Sequence, residues 1–184
     1  MLLETDNLLL RPLSWDDLDD IHRFHAIKEV AHFNTIGVPT SIAVTKDIIR
    51  GAIADQVNSP RSIYGWTIRL KSNDQFVGET GFSATNNRFK RGEIHYHLHP
   101  DFWGKGFATE TAKRLVQFGF DKLKLHRIEA GVATENIGSI QVLEKIGMFR
   151  EGLRRKILPL RGEWQDNYMY AILDEDFEKA HSQE

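Results

Sequence analysis

The sequence contains no cysteine. That excludes a disulfide framework, a thiolate metal site and a cysteine nucleophile, and it leaves the redox compartment unread. No apolar run approaches the roughly 20 residues of a membrane-spanning helix. The first residues, Met1-Leu-Leu-Glu-Thr-Asp-Asn7, bring in acids before any long apolar run. They do not read as a signal peptide, and a cytoplasmic location is expected. An excess of charge of one sign is also missing: 24 Lys and Arg stand against 26 Asp and Glu, a formal net charge of -2. With no basic arm or stripe, neither nucleic acid nor membrane is an expected partner. There is no repeat, low-complexity tract or linker, and the 184 residues are expected to form one domain over 1–184.

What is present alternates between strand-like and helix-like patterns. Leu8-Leu9-Leu10 before Pro12 reads as a strand, and Ser14 as an N-cap with Asp16 and Asp17 in the first helical turn. Leu18, Ile21, His22 and His25 recur at helical spacing. A second helix is expected over 45–57, capped by Thr45, with a turn-rich loop from Phe33 to Thr40 before it. Three strand-like runs at 64–70, 75–82 and 93–98 are joined by short polar stretches and predict an antiparallel meander. Thr109 to Leu123 reads as a helix with Ala112, Leu115, Val116, Phe118 and Gly119 on one face. A strand at 127–132, a short helix at 139–146 ending at Gly147, and strands at 149–157 and 167–173 complete the chain. The order predicts an α/β or α+β domain built on a mixed sheet.

The sharpest local signal is Trp103-Gly-Lys-Gly-Phe-Ala108, with Thr109 opening a helix directly after a strand. Two glycines let the backbone turn tightly and approach a ligand. The first amides of a helix lack internal partners and lie at the positive end of its dipole. Together they make an anion cradle, with Lys105 adding a cation. The same residues also suit an ordinary strand-to-helix turn. The P-loop pattern G-x-x-x-x-G-K-[ST] is absent. A dinucleotide fingerprint needs Gly or Ala three residues after Gly106, where Thr109 stands.

Further segments share a pattern with this loop. They are Leu8-Leu-Leu-Arg-Pro-Leu13, Val77-Gly-Glu-Thr-Gly81, Glu93-Ile-His-Tyr96, His99 to Glu110, Asn136-Ile-Gly-Ser139, Glu144-Lys-Ile-Gly147 and Trp164-Gln-Asp166. In this order and spacing they resemble the GNAT N-acetyltransferase superfamily, and within it the RimJ/RimL-type branch that acetylates ribosomal-protein N-termini and related amines. The resemblance implies the GNAT fold, a mixed and mostly antiparallel sheet flanked by helices. It implies acetyl-CoA as co-substrate, an amine acceptor, no metal, and a monomer or homodimer. It places the pyrophosphate on Trp103, Gly104, Lys105, Gly106, Phe107, Ala108 and Thr109. Trp103 departs from the family's usual Gln or Arg. The backbone at Tyr96 and Leu98 is expected to pair with the pantetheine arm like an added strand. Asn136 matches an asparagine that bonds that arm, although it also suits a turn capping the next helix.

Direct attack of an amine on the thioester needs a neutral amine, a donor to the oxyanion and a proton for the thiolate. A backbone amide of strand 93–98 is the expected oxyanion donor. Many relatives carry a tyrosine acid seven residues after the Asn136 position, but here that residue is Leu143. Ser139 is the replacement candidate, with plain helix capping as its alternative. Making an α-amine neutral at pH 7 costs about 1.4 kcal/mol, against ~4.6 for a lysine, so an α-amine manages with a weak base. Glu93 is the first candidate base and Glu79 the second, and either also reads as a structural strand carboxylate. His95, His97 and His99 alternate and are expected to share the face of Glu93. They read as groove lining, a proton relay or a His-x-His metal site. Trp15, Phe24, Phe33 and Trp66 read as core or groove walls, and Arg154, Arg155 and Lys156 as a solvated face or a steering patch for an acidic acceptor. By resemblance, the loop Phe33 to Thr40 sets specificity. A catalytically weak acyl-CoA sensor and a dinucleotide oxidoreductase are the competing readings.

Overall fold

A computed structural model of the chain describes residues 1–85 and 88–181. The chain opens with β1 (Leu3–Glu4), β2 (Leu8–Pro12), α1 (Leu18–His25), α2 (Lys28–Ala31) and α3 (Ile42–Ala54). The meander follows as β3 (Ile63–Leu70), β4 (Phe76–Ala84) and β5 (Arg91–Leu98). Next come α4 (Phe107–Asp121), β6 (Arg127–Ala133) and α5 (Ile137–Lys145), then β7 (Phe149–Leu160), β8 (Glu163–Leu173) and α6 (Asp174–His181). The described strands form one eight-stranded sheet in the order β1-β2-β3-β4-β5-β6-β8-β7. Every neighbouring pair is antiparallel except β5 and β6. This is the mixed, mostly antiparallel α/β architecture expected.

Helices α4 and α5 pack on one face of the sheet. Ala112, Leu115, Val116 and Phe118 of α4 and Leu143 of α5 share a buried cluster with Ile68, Phe82, Ile94, Leu98 and Ile128. Phe118 makes edge-on contacts with Tyr64, Trp66 and Phe82 at 5.1, 5.4 and 5.8 Å. Burying a side chain of this size stabilises by roughly 1.5–3 kcal/mol. On the opposite face α1 and α3 cover the β2–β4 half through Leu13, Ile21 and Ile49. Ser14 caps the turn Trp15–Asp17 in a full capping box with Asp17, as its sequence suggested.

Two helix starts differ from expectation. Helix α3 begins at Ile42 after an extended Ser41, so Thr45 lies one turn inside it. Thr45 is fully buried, and its Oγ1 bonds His22 Nδ1 at 2.8 Å. A buried hydroxyl needs a partner, and this one ties two helices together, leaving the helix end to Ser41. Helix α4 begins at Phe107, two residues before Thr109, because Gly106 takes φ +84 and serves as its N-cap. Of the four aromatics singled out, Phe24 and Trp66 are core, whereas Trp15 is exposed beneath Lys46 and Phe33 lines a cavity.

Candidate active site

The cleft starts where two strands part. β5 and β6 run parallel and are paired only over Arg91–Glu93 and Arg127–Glu129. Past that point β5 stays paired with β4 up to Leu98, and β6 with β8 up to Ala133, so a gap opens between them. His99 N–H donates to Val77 on the β4 side at 2.8 Å. By the two-residue alternation of a strand, the backbone groups of Tyr96 and Leu98 point the other way, into the gap. The Leu98 carbonyl is already taken by the Trp103 indole N–H at 2.7 Å. Trp103 thereby clamps the glycine loop onto the end of β5.

The loop then turns through Gly104 and Gly106, at φ +72 and +84, which a residue with a Cβ adopts only with strain. An added Cβ on either would point into open space. The first amides of α4, on Phe107, Ala108 and Thr109, precede the first intrahelical bond, Glu110 N–H to Gly106 carbonyl at 3.0 Å. They form an anion cradle at the positive end of a 15-residue helix. Glu110 in that first turn is engaged elsewhere. It accepts from Thr5 Oγ1, from Asn7 N–H at 2.8 Å and from Asn7 Nδ2 at 3.0 Å. Its carboxylate thus ties the β1–β2 turn to α4.

One cavity of about 640 Å³ runs from this cradle past β5 to α2. Its lining includes Tyr96, Leu98, Trp103, Gly104, Gly106, Phe107, Ala108, Thr109, Asn136 and Ser139, with Glu29, Val30 and Phe33 at the α2 end. The elements on either side of the gap therefore bring together nearly every residue singled out for the cofactor. Lys105 is not among the lining residues; its Nζ lies 5.3 Å from the Phe102 ring centre. Asn136 caps α5, its Oδ1 accepting Ser139 N–H at 3.1 Å. Leu143, in the place of the family's tyrosine, is buried in the core.

The acetyltransferase (GNAT) domain family matches residues 7–149, a span that holds every residue lining this cleft. The chain belongs to that family. An uncharacterized N-acetyltransferase, p20, from Bacillus licheniformis is 31% identical over 175 residues, covering 95% of this chain and 97% of the relative. A GNAT-family acetyltransferase structure from Bacillus anthracis superimposes with a TM-score of 0.81 at 30% identity, covering 95% and 99% of the two chains. Mycobacterium smegmatis RimJ, solved with a CoA-disulfide, gives 0.83 at 25% identity, covering 96% of this chain and 87% of RimJ.

Within this GNAT domain the proposed catalytic side chains separate. Ser139 lies in the first turn of α5 on the cavity wall. Tyr96, singled out only for its backbone, reaches the same turn, its hydroxyl 3.4 Å from the Ser139 carbonyl. Burial raises that phenol above its ordinary pKa, with the Ser139 contact opposing, so it stays protonated. Glu93 lies at the closed end of the gap, in register with Ser83 and Glu129. That is three residues, or about 10 Å, before Tyr96. It is exposed and outside the cavity lining, which moves the base assignment away from it.

The histidines also part company. His95 and His97 share the face opposite α4, but β5 ends at Leu98. His99 turns away, its Nδ1 accepting Asp101 N–H at 3.2 Å to cap the turn Pro100–Phe102. The His95 ring lies over Gly81, where any Cβ would strike it at 2.3 Å, so the absence of a side chain there makes its berth. Among the described residues no group of three or more His, Cys, Asp or Glu could hold a metal ion. Sequence reasoning missed His25 altogether as a site residue. It pairs with Glu79 across 54 positions, and no local pattern signals such a contact.

Proposed function

We propose that this protein transfers the acetyl group of acetyl-CoA to a primary amine by direct attack in a ternary complex, the amine being a protein N-terminus or a small molecule. The parted strands and the unpaired α4 amides line one continuous cavity, and this carries the reading. The amide cradle suits a diphosphate, and the free edge of β5 suits an extended pantetheine arm. The same edge offers backbone N–H groups to a developing oxyanion. RimJ binds a CoA-disulfide in the same fold, which supports coenzyme A as the ligand.

Ser139 is the proposed proton donor to the departing thiolate, and Tyr96 sets a second hydroxyl beside it. Thiols ionise near 8.5, so the demand is small, and Ser139→Ala should cost only ~10- to 100-fold in kcat.

The test couples two measurements. Calorimetry should show saturable binding of acetyl-CoA. Thiol detection across peptides beginning with Ala, Ser and Met, polyamines and amino acids should then show CoA release that requires both substrates. Binding without release for any amine would indicate an acyl-CoA sensor. Thermal stabilisation by NAD or NADP but not by acetyl-CoA would indicate a dinucleotide enzyme.

A further inference from the structure

A buried carboxylate sits between two imidazoles beside the cavity. Glu79 on β4 is only 8% exposed, and His25, the last residue of α1, only 1%. His25 Nε2 lies 2.7 Å from Glu79 Oε1. His97 faces Glu79 directly across the β4–β5 pair, with its Nδ1 3.7 Å from the same oxygen. That distance is too long for a hydrogen bond and short enough for an ion pair. The Nδ1 atoms of both rings are buried without a hydrogen-bond partner. His97 also lines the cavity, and its ring lies 5.9 Å from that of His95, which is open to solvent.

Burying a carboxylate is costly unless it is paired, so an ionised Glu79 needs at least one imidazole N–H. Burial alone would raise its pKa. The short His25 contact and the His97 ring on its other side outweigh that and hold it well below the usual carboxylate range. His25 donates from Nε2, which leaves its Nδ1 a lone acceptor and not an unpaired cationic donor. The neutral His97 ring is drawn to keep its proton on Nδ1, toward Glu79. Its Nε2 lone pair then faces outward.

We propose that His97 is the base that takes the proton from the incoming ammonium, with Glu79 holding the resulting imidazolium and His25 holding Glu79 in place. The proposal rests on the acetyltransferase reading. The ammonium loses one proton to His97 Nε2, and the neutral amine attacks the thioester carbon. Its second proton leaves with collapse of the tetrahedral intermediate, and one proton ends on the thiolate of coenzyme A. His97 returns its proton to solvent, with His95 alongside. Coupled to ionised Glu79, the imidazolium shrinks the 3.7 Å gap to a charge-assisted bond. The ionisable groups facing His97 are Glu79 on β4, His25 on α1, His95 on its own strand and Glu29 on α2 across the cavity.

The experiment follows kcat/KM against pH over about pH 5 to 8, where imidazole titrates, using the best amine of the panel. His97→Gln should lower kcat/KM at least ~100-fold and abolish the acid limb. Glu79→Gln should move that limb to lower pH, because the imidazolium loses its carboxylate. His25→Leu should copy Glu79→Gln, whereas His25→Gln, which keeps a donor, should restore much of the wild-type profile. The affinity for coenzyme A should stay within about twofold in every variant, since the cradle is untouched. An unchanged acid limb in His97→Gln would overturn the proposal. So would loss of activity in Glu79→Gln with His97→Gln intact, which would make the carboxylate itself the base. His97 is partly exposed at the cavity wall, so its variant remains a fair test even where a Glu79 variant fails to fold. If wild type neither binds acetyl-CoA nor turns over, the acetyltransferase reading fails first, and the two failures are distinguishable.

Discussion

The two faces of β5 are built for different jobs from alternating residues of one strand. Ile94, Tyr96 and Leu98 face α4 and α5 and pack into or against the main core. Glu93, His95 and His97 face the other way, toward ionisable neighbours. On the first face the ligand chemistry is supplied by backbone and helix ends, which any sequence with the right glycines provides. On the second it is supplied by side chains that neighbouring strands and helices must bring together. In the proposed reading the cofactor half of such a site is therefore generic, and the acceptor half is particular to the chain.

The sharpest test of that contrast removes a buried member of the strand. Ile94→Ala should cost 2–5 kcal/mol of stability, as expected for an aliphatic side chain lost from a packed core. Chemical denaturation measures it, and a cost below about 1 kcal/mol would mean the helix face is not tightly packed. Next in size is the loop. Gly106→Val forces a β-branched residue toward φ +84, a conformation costing about 1–2 kcal/mol even for ordinary residues. The loop should relax and turn its amides away, weakening coenzyme A binding about tenfold by calorimetry. An unchanged Kd would detach the cradle from the cofactor. Smaller still is Asn136→Ala. Losing its cap on Ser139 should cost about 1 kcal/mol, seen as a lower melting temperature. A loss of coenzyme A affinity with no loss of stability would instead favour the cofactor-bonding role.

Much of the generic half was legible in the sequence, because its signals are local. Gly104 and Gly106 report their own backbone demand, and Ser14 and Gly147 mark a helix start and a helix end. Strands β3 to β5 announce themselves by turns and alternation. The particular half was hidden, because its contacts are distant in sequence. The partner of Glu79 is 54 positions away, and the Tyr96 hydroxyl meets a carbonyl 43 positions later. Thr45 looked like a cap because a β-branched hydroxyl residue often is one, and only the packing of α1 on α3 shows its bond to His22. His99 kept the alternation of its neighbours in sequence, but Pro100 ends the strand and redirects it. Strand β1 and helix α2, of two and four residues, are too short to show any period.

The smallest expected effect decides how far along β5 the acceptor chemistry extends. Glu93 shares the face of His97 but sits where β5 is still paired with β6, beside Glu129. Glu129 in turn holds Arg127 at 2.8 Å and Arg91 at 3.5 Å, so this end of the face is already an ion-pair network. Glu93→Gln removes a charge from an exposed position without opening a cavity. Stability should move by no more than about 0.5 kcal/mol. If proton removal belongs to the His97 end, kcat/KM should change by less than about twofold, against the ~100-fold that losing an acid or base usually costs. A drop of that larger size, with loss of the acid limb of the pH profile, would return the base to Glu93. It would also mean that the gap opens further in the working enzyme than the register of β5 and β6 allows, since an exposed carboxylate about 10 Å short of Tyr96 cannot otherwise reach an amine in the cavity.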